Sequence, residues 1–365
     1  MISIFFVIPS LDGGGAERMF LNILNGMDRK VFQPSLVLVK RRGTFFDQLS
    51  PDVDTIELGC KSHLTLIPKL ARLIRRRRPD VVLSTHGHLN LLIMLGRFLM
   101  RGRTSFVGRE SCVVSLHNRS MGNSRIMNML YRQLYPRFDA IICQSRDMRE
   151  DLDLRFNLPP EKLRLINNGV NQERLNSLAG QGGGPDRLAP GKRNLVAAGR
   201  LDRQKGFDLL IEALALTRTP GLNLTILGAG PEEGPLKEQV RSCGLESRIR
   251  FAGFQRNPYP FLRQADLFVL SSRYEGFPNV LVEALCLGTP SVAFECPGGV
   301  NEIIRPGVNG FMAGQGDPKA MAEAIDLALA KPFDRKVVAR DAGERFDLSR
   351  IIKDYERVIV SVLPN

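Results

Sequence analysis

The chain has 365 residues, 43% of them hydrophobic and 24% charged, with a formal net charge of +13. These values exclude a disordered or disulfide-stapled chain and leave length enough for two domains, each burying its own core. Cys60, Cys112, Cys143, Cys243, Cys286 and Cys296 form no CxxC pair, which argues against a zinc site and fits a reducing cytoplasm.

The charge is unevenly placed. Of 51 Lys/Arg and 38 Asp/Glu, residues 1–170 hold 26 and 15, leaving 25 and 23 for the remainder. The basic excess of the first half implies an anionic partner there: a membrane surface, a phosphorylated acceptor or nucleic acid.

The N-terminal run MISIFFVIPS has neither a positive n-region nor a small-residue cleavage site and reads as a buried strand, Ile2–Pro9. Gly13, Gly14 and Gly15 follow, then a helix pattern from Ala16. Glycines allow close backbone approach, and a helix N-terminus offers N–H groups and partial positive charge to an anion. A tight turn with no ligand fits the same residues. The spacing is not that of the dinucleotide fingerprint, because Arg18 stands where a third small residue is needed.

Further strands are predicted at Pro34–Val39, Val53–Leu58, Val81–Thr85, Thr104–Val107, Ala140–Gln144 and Leu163–Ile166, mostly separated by helices. One of these helices, Leu64–Arg78, sets Leu66, Leu70, Leu73 and Ile74 on one stripe with Lys69, Arg72 and Arg75 to Arg78 around it. Such a basic amphipathic helix suits an anionic bilayer, and equally a helix whose stripe packs on a sheet. The apolar stretch Leu89–Met100 is broken by Arg97 and falls short of the roughly 18 residues of a spanning helix.

A Gly-rich stretch, Ala179–Lys192, reads as a linker, after which the alternation resumes with strands at Asn194–Ala198, Leu222–Leu227, Ile249–Ala252, Leu267–Leu270 and Ser291–Phe294. The last pattern, Ser349–Val362, is an amphipathic helix able to pack on either domain. The expected architecture is α/β, two doubly wound Rossmann-like domains over residues 1–170 and 171–345, with residues 346–365 as a C-terminal helix. Ligands of such sheets bind beyond the carboxyl ends of the strands.

Two motifs sit at such ends. In NLVAAGRLDRQKG, Arg200 and Lys205 lie on one strand-to-helix loop and can converge on a diphosphate, Arg as a fork and Lys as a point charge. In SSRYEGFPNVLVEALCLGTP, Glu275 follows a strand and Glu283 falls eight positions on, near the same helical face. Carboxylates accept paired hydroxyl bonds from a sugar or ribose, and N–H groups near Phe277, Asn279 and Val280 add donors. Capping or surface charge is the alternative reading of the two acids.

Together, GRLDRQKG, the Glu-seven-residues-Glu spacing of EGFPNVLVEA, the run LGTPSVAFECPGGVNEIIRPGVNGFM and the N-terminal DGGGAER resemble family 4 of the retaining, GT-B fold glycosyltransferases. The resemblance spans essentially the whole chain and is strongest over Asn194–Phe311. It implies two domains facing across a cleft, the first binding the acceptor and the second a nucleotide-sugar donor. It implies that Arg200 and Lys205 hold the donor diphosphate and that Glu275 binds the transferred sugar, aided by main-chain groups at Gly276, Phe277, Pro278, Asn279 and Val280. Glu283 would hold the ribose, Gly228 and Gly230 would line the nucleotide pocket, and Phe254, Gln255 and Arg256 would contact the base. Gly14 and Gly15 would lie near the leaving diphosphate.

The family works without a metal, and the sequence has no DxD pair at a strand end and no His–carboxylate cluster, so Arg200, Lys205 and helix dipoles would neutralise the phosphates. Retention needs no paired hydrolase carboxylates, so no nucleophile is assigned. Where members carry a His after an N-domain strand, this chain has FVGRES. Glu110 is thus a candidate catalytic contact, with Arg109, His86 and His88 on the acceptor side, although both histidines also fit helix-start or surface positions.

These features imply a UDP-linked hexose or N-acetylhexosamine donor and a lipid-linked saccharide acceptor, with the protein cytoplasmic and peripheral on the membrane. An epimerase on the same fold is the nearest rival, but GRLDRQKG with the two glutamates favours a transferase. A nucleic-acid-binding protein lacks support, because there is no tryptophan and no interleaved aromatic platform. A dehydrogenase fails on glycine spacing.

Overall fold

The computed structural model describes all residues except 13, 61, 62, 101, 121, 123, 182–187, 189, 190 and 365, together with the side chains of 63 and 64. Gly13 and most of the expected linker therefore lie outside the described residues. The chain divides into two compact units, Met1–Gly169 with Leu348–Asn365, and Val170–Asp347.

The first unit contains seven parallel strands: β1 (Ile2–Ile8), β2 (Phe32–Leu38), β3 (Asp54–Glu57), β4 (Val81–Thr85), β5 (Ser105–Arg109), β6 (Ala140–Cys143) and β7 (Leu163–Leu165). Their order is β3-β2-β1-β4-β5-β6-β7. Central β1 is apolar without alternation because helices cover both faces of a parallel sheet. Phe5 and Val7 enter the core on one face, and Ile4, Phe6 and Ile8 the core on the other. Helix α1 (Gly15–Gly26) packs on the second face, whereas α2 (His63–Arg77) and α3 (Gly87–Leu95) pack on the first.

Helix α2 decides between its two readings. Leu66, Leu70, Ala71 and Ile74 are buried in the core with Phe5 and Val7, and Leu73 is half-buried against it. The apolar stripe is consumed by the sheet, so α2 cannot lie on a bilayer by that face. Arg72, Arg75 and Arg76 remain exposed.

The second unit contains β8 (Arg193–Ala198), β9 (Leu222–Leu227), β10 (Ile249–Phe251), β11 (Leu267–Leu270), β12 (Ser291–Phe294) and β13 (Gly310–Ala313), all parallel, in the order β10-β9-β8-β11-β12-β13. The sequence reading did not anticipate β13. Its four residues sit in the run PGVNGFMAGQG, too short and too glycine-rich to show a strand period, and they become a strand by pairing with β12.

The second unit closes at its ends, where the Val170 N–H donates to Phe346 O at 2.8 Å. The last helix, Leu348–Ser361, belongs to the first unit. Ile351, Ile352, Tyr355 and Ile359 join the core beside α1, and the Arg109 guanidinium donates to the Tyr355 hydroxyl at 3.0 Å. Both partners are fully buried. Tyr355→Phe strands the Arg109 Nε–H without its acceptor and is expected to cost about 1–3 kcal/mol, measured by urea unfolding against wild type.

Candidate functional site

In the second unit β8 and β11 are neighbours in the sheet. From β8 the chain moves out through β9 to β10, and from β11 it moves the opposite way through β12 to β13. The loops leaving their carboxyl ends thus diverge at the topological switch point, where an open α/β sheet forms its crevice.

The β8 loop carries Arg200 and a 3₁₀ turn, Arg203–Lys205, capped by the Asp202 carboxylate, which accepts from the Lys205 N–H at 3.3 Å. Gly206 follows with φ 62°, and a Cβ there would fall 2.1 Å from Ser271 O. Only glycine lets this loop rest on the exit of β11. Gln204 and Arg273 lace the two loops: the Arg273 N–H donates to Gln204 O at 2.8 Å, and Gln204 Nε2 to Tyr274 O at 2.9 Å. Arg273 also forks onto Asp208 at 2.8 and 2.6 Å. Burial alone would raise the Asp208 carboxyl, but the Arg273 bonds and charge outweigh it and hold the group below its ordinary range.

This lacing brings Lys205 and Glu275 together. Lys205 Nζ lies 2.6 Å from Glu275 Oε1, which also accepts from Ser272 Oγ at 2.6 Å. The two residues expected on separate parts of a ligand share one ion pair here, with only 20% and 7% of their side chains exposed. Arg200 differs. Its side chain is 73% exposed and approaches Asp202 at 3.8 Å, so it is an exposed cation at the rim of the loop.

Glu283 is buried in the helix Asn279–Cys286 and accepts from the Tyr259 hydroxyl at 3.3 Å. That helix begins at the carboxyl end of β11 with Pro278 as its N-cap, which places Asn279 and Val280 in its first turn. The Phe277 ring is buried against Phe346, so at Gly276–Pro278 only main-chain groups are offered to a ligand. Gly228, with φ 148°, presses on Gly199 O, where a Cβ would sit 1.8 Å away. It serves loop packing at the end of β9. Beyond β10, Phe254 is 70% exposed, and Gln255 Nε2 turns back to Ala252 O at 2.6 Å. Tyr259, Ser272 and Arg273 were missed from sequence; Ser272 and Arg273 stand inside the SSRYEGFPN motif, and that adjacency was the available signal.

In the first unit Gly14 caps α1 and Gly15 is its first residue. His86 ends the β4 connection as the N-cap of α3, and His88 is exposed one residue into that helix. The expectations for Arg109 and Glu110 are corrected. The Arg109 guanidinium is fully buried and bonds Tyr355, Thr85 and Asn168 at 3.0, 3.2 and 3.0 Å. The Glu110 carboxyl is fully buried too, taking bonds from Tyr135 and from Asn90 Nδ2. Neither side chain reaches a surface where an acceptor could touch it. Among the described residues no cluster of three His, Cys, Asp or Glu is placed to hold a metal.

Residues 13–174 match the family described as Glycosyltransferase Family 4, and residues 185–345 match Glycosyl transferases group 1. The chain is 27% identical over 360 residues to the N-acetylgalactosamine-N,N'-diacetylbacillosaminyl-diphospho-undecaprenol 4-alpha-N-acetylgalactosaminyltransferase of Campylobacter jejuni, covering 92% of this chain and 96% of that one. It is 28% identical over 366 residues to the lipopolysaccharide core biosynthesis glycosyltransferase LpsE of Rhizobium meliloti, covering 95% and 96%. Its fold is similar to Anabaena Alr3699/HepE solved in complex with UDP-glucose, with TM-score 0.80, 22% identity and coverage of 99% and 100%.

Glu110 has a measurable consequence. Burial lifts its pKa from 4.5 to about 7, against the opposing pull of Tyr135, Asn90, His86 and Arg109. Between those values the folded chain keeps a proton that the unfolded chain has lost. Stability is therefore full below about pH 4.5 and declines as pH rises through 7, by about 3 kcal/mol in all. Glu110→Gln abolishes this decline, so its thermal midpoint relative to wild type is expected to rise between about pH 4.5 and 7 and to level off above that.

Proposed function

Because the chain belongs to family 4 of the GT-B glycosyltransferases, we propose that it moves a hexose or N-acetylhexosamine from a UDP-sugar to a lipid-linked saccharide. Transfer proceeds with retention and without a metal, in cell-surface glycan biosynthesis at the inner face of the cytoplasmic membrane. The observation that carries this reading is the Lys205–Glu275 pair at the β8–β11 switch point, with exposed Arg200 beside it.

In this reading Arg200 closes onto the donor diphosphate with its fork, and Lys205 adds a fixed charge partly neutralised by Glu275 until the ligand arrives. The helix starting at Asn279 directs its positive end to the same edge. Glu275 keeps its oxygens near the transferred sugar, Glu283 with Tyr259 receives the ribose, and exposed Phe254 offers a face to the base. The anomeric C–O bond to diphosphate breaks on the face where the acceptor oxygen bonds, and the acceptor proton leaves on the departing phosphate. Fixed cations stabilising that phosphate supply the electrostatic help a metal gives elsewhere. The Campylobacter relative is named for an undecaprenol-linked acceptor and the Rhizobium relative for lipopolysaccharide core biosynthesis, which supports a lipid-linked acceptor here.

Membrane contact then uses a different surface from the α2 stripe. Residues 63–78 and 87–103 contain no Asp or Glu. After α3 the chain turns with Leu95, Phe98 and Leu99 exposed, Phe98 by 63%. Gly96 of this turn abuts Ile67 of α2, where a Cβ would lie 2.3 Å from the isoleucine side chain. An apolar tip packed on a helix that also bears exposed arginines suits an anionic bilayer surface, whereas no helix among the described residues is long and apolar enough to cross one.

Two outcomes are expected. UDP raises the thermal midpoint without magnesium, more than GDP or ADP does, and Glu283→Ala removes most of the gain; indifference to every nucleotide defeats the donor assignment. Wild type sediments with phosphatidylglycerol vesicles, and Arg75→Ser/Arg76→Ser/Arg78→Ser weakens that binding by about a hundredfold at about 1 kcal/mol per cation. Phe98→Ser weakens it as well. Wild type left in the supernatant refutes the membrane contact.

A further inference from the structure

The first unit has a switch point of its own. From β1 the chain passes through α1 to β2, and from β4 through α3 to β5 on the opposite side, with α1 and α3 on opposite faces of the sheet. Since β1 and β4 are adjacent, a crevice opens between the loops that leave their carboxyl ends. On one lip stands Glu17, in the first turn of α1. On the other stands His86, the residue directly after β4.

The two side chains meet across the crevice with Glu17 Oε1 3.6 Å from His86 Nε2, 17% and 21% exposed. That separation is too long for a direct hydrogen bond and leaves room for one hydroxyl oxygen to touch both. The carboxylate folds back onto Gly14, where a Cβ would stand 2.2 Å from Glu17 Oε2, so a side chain at position 14 would push the carboxylate aside. Burial would raise the Glu17 carboxyl, but His86, its own backbone N–H and Arg109 outweigh it and hold the group below its ordinary range, ionised at neutral pH.

Two costly features meet at His86. His86 holds φ 73° and ψ 121°, a strained backbone for any residue but glycine. Its buried Nδ1 has no hydrogen-bond partner. Folding alone supplies no return for the strain at His86, whereas a ligand held at its Nε2 does.

We infer that Glu17 and His86 form the hydroxyl-binding site of the first unit, in which the acceptor sugar's attacking hydroxyl donates to Glu17 Oε1 and accepts from His86 Nε2–H. The inference rests on the glycosyl-transfer reading for the identity of that hydroxyl. Of the acceptor-side candidates it keeps His86, at the end of β4, and it adds Glu17, which the sequence reading passed over. Both residues act through hydrogen bonds and form no covalent bond.

The chain has four histidines, so ¹⁵N-histidine labelling yields few imidazole signals, and His86→Gln identifies those of His86. Methyl glycosides of glucose, galactose, N-acetylglucosamine and N-acetylgalactosamine, in both anomers, serve as hydroxyl probes, with and without UDP. At least one glycoside is expected to move the His86 Nε2 resonance in wild type. The shift is lost in Glu17→Ala and partly kept in Glu17→Gln, whose amide oxygen still accepts, while UDP stabilises all three proteins equally. A His86 signal indifferent to every glycoside, or responding equally in Glu17→Ala and wild type, overturns the inference. A normal His86 response in a protein that UDP fails to stabilise upholds it and removes the donor reading alone.

Discussion

Parallel strands all leave their sheet on one edge, and each return journey needs a helix on a face. Every loop free to vary therefore collects at the carboxyl edge, and the strands whose connections diverge there leave a crevice that packing cannot fill. In the second unit these strands are β8 and β11, joined side by side in the sheet although 70 positions separate Lys205 from Glu275. The same rule sets β1 beside β4 in the first unit and brings Glu17 to His86. Each unit thus brings an acid and a base together at its own switch point.

The two pairs differ in kind. Lys205 and Glu275 are in direct contact, with Ser272 completing the carboxylate. Removing two charges from water costs free energy that their attraction only partly returns, so such a pair is weak evidence for stability and better evidence for a charge kept ready. In the proposed function, a diphosphate entering beside Lys205 would meet a cation already positioned and largely dehydrated, so little side-chain entropy would remain to be lost on binding. Arg200 complements it as the long, exposed fork that can follow the ligand.

Polar groups inside the first unit serve another purpose. Arg109 ties β5 to Thr85 at the end of β4, to Asn168 and to Tyr355 on the last helix, so a segment beginning at residue 348 is locked to a sheet built from residues before 166. Glu110, one residue on, binds Tyr135 and Asn90 on the other side of the strand. Alternation along β5 sends the neighbours into opposite layers, each of which needs its polar atoms satisfied. The positive charge that neither layer uses lies outside, on the exposed arginines of α2.

By itself the sequence determined the strands whose apolar runs are long enough to show burial on both faces, the two βα series, and the strand-end motifs holding Arg200, Lys205, Glu275 and Glu283. Local pattern suffices there because burial and turn chemistry are written in neighbouring residues. Tertiary structure alone decided that β13 is a strand, that the stripe of α2 belongs to the core, and that Arg109 and Glu110 are interior. It alone placed the last helix with the first unit and Glu17 against His86. Each of these depends on which distant element lies alongside, and a residue's own neighbours carry no record of that: FVGRES reads the same whether its charges face a ligand or Tyr355, and pairing 246 positions away chose between them.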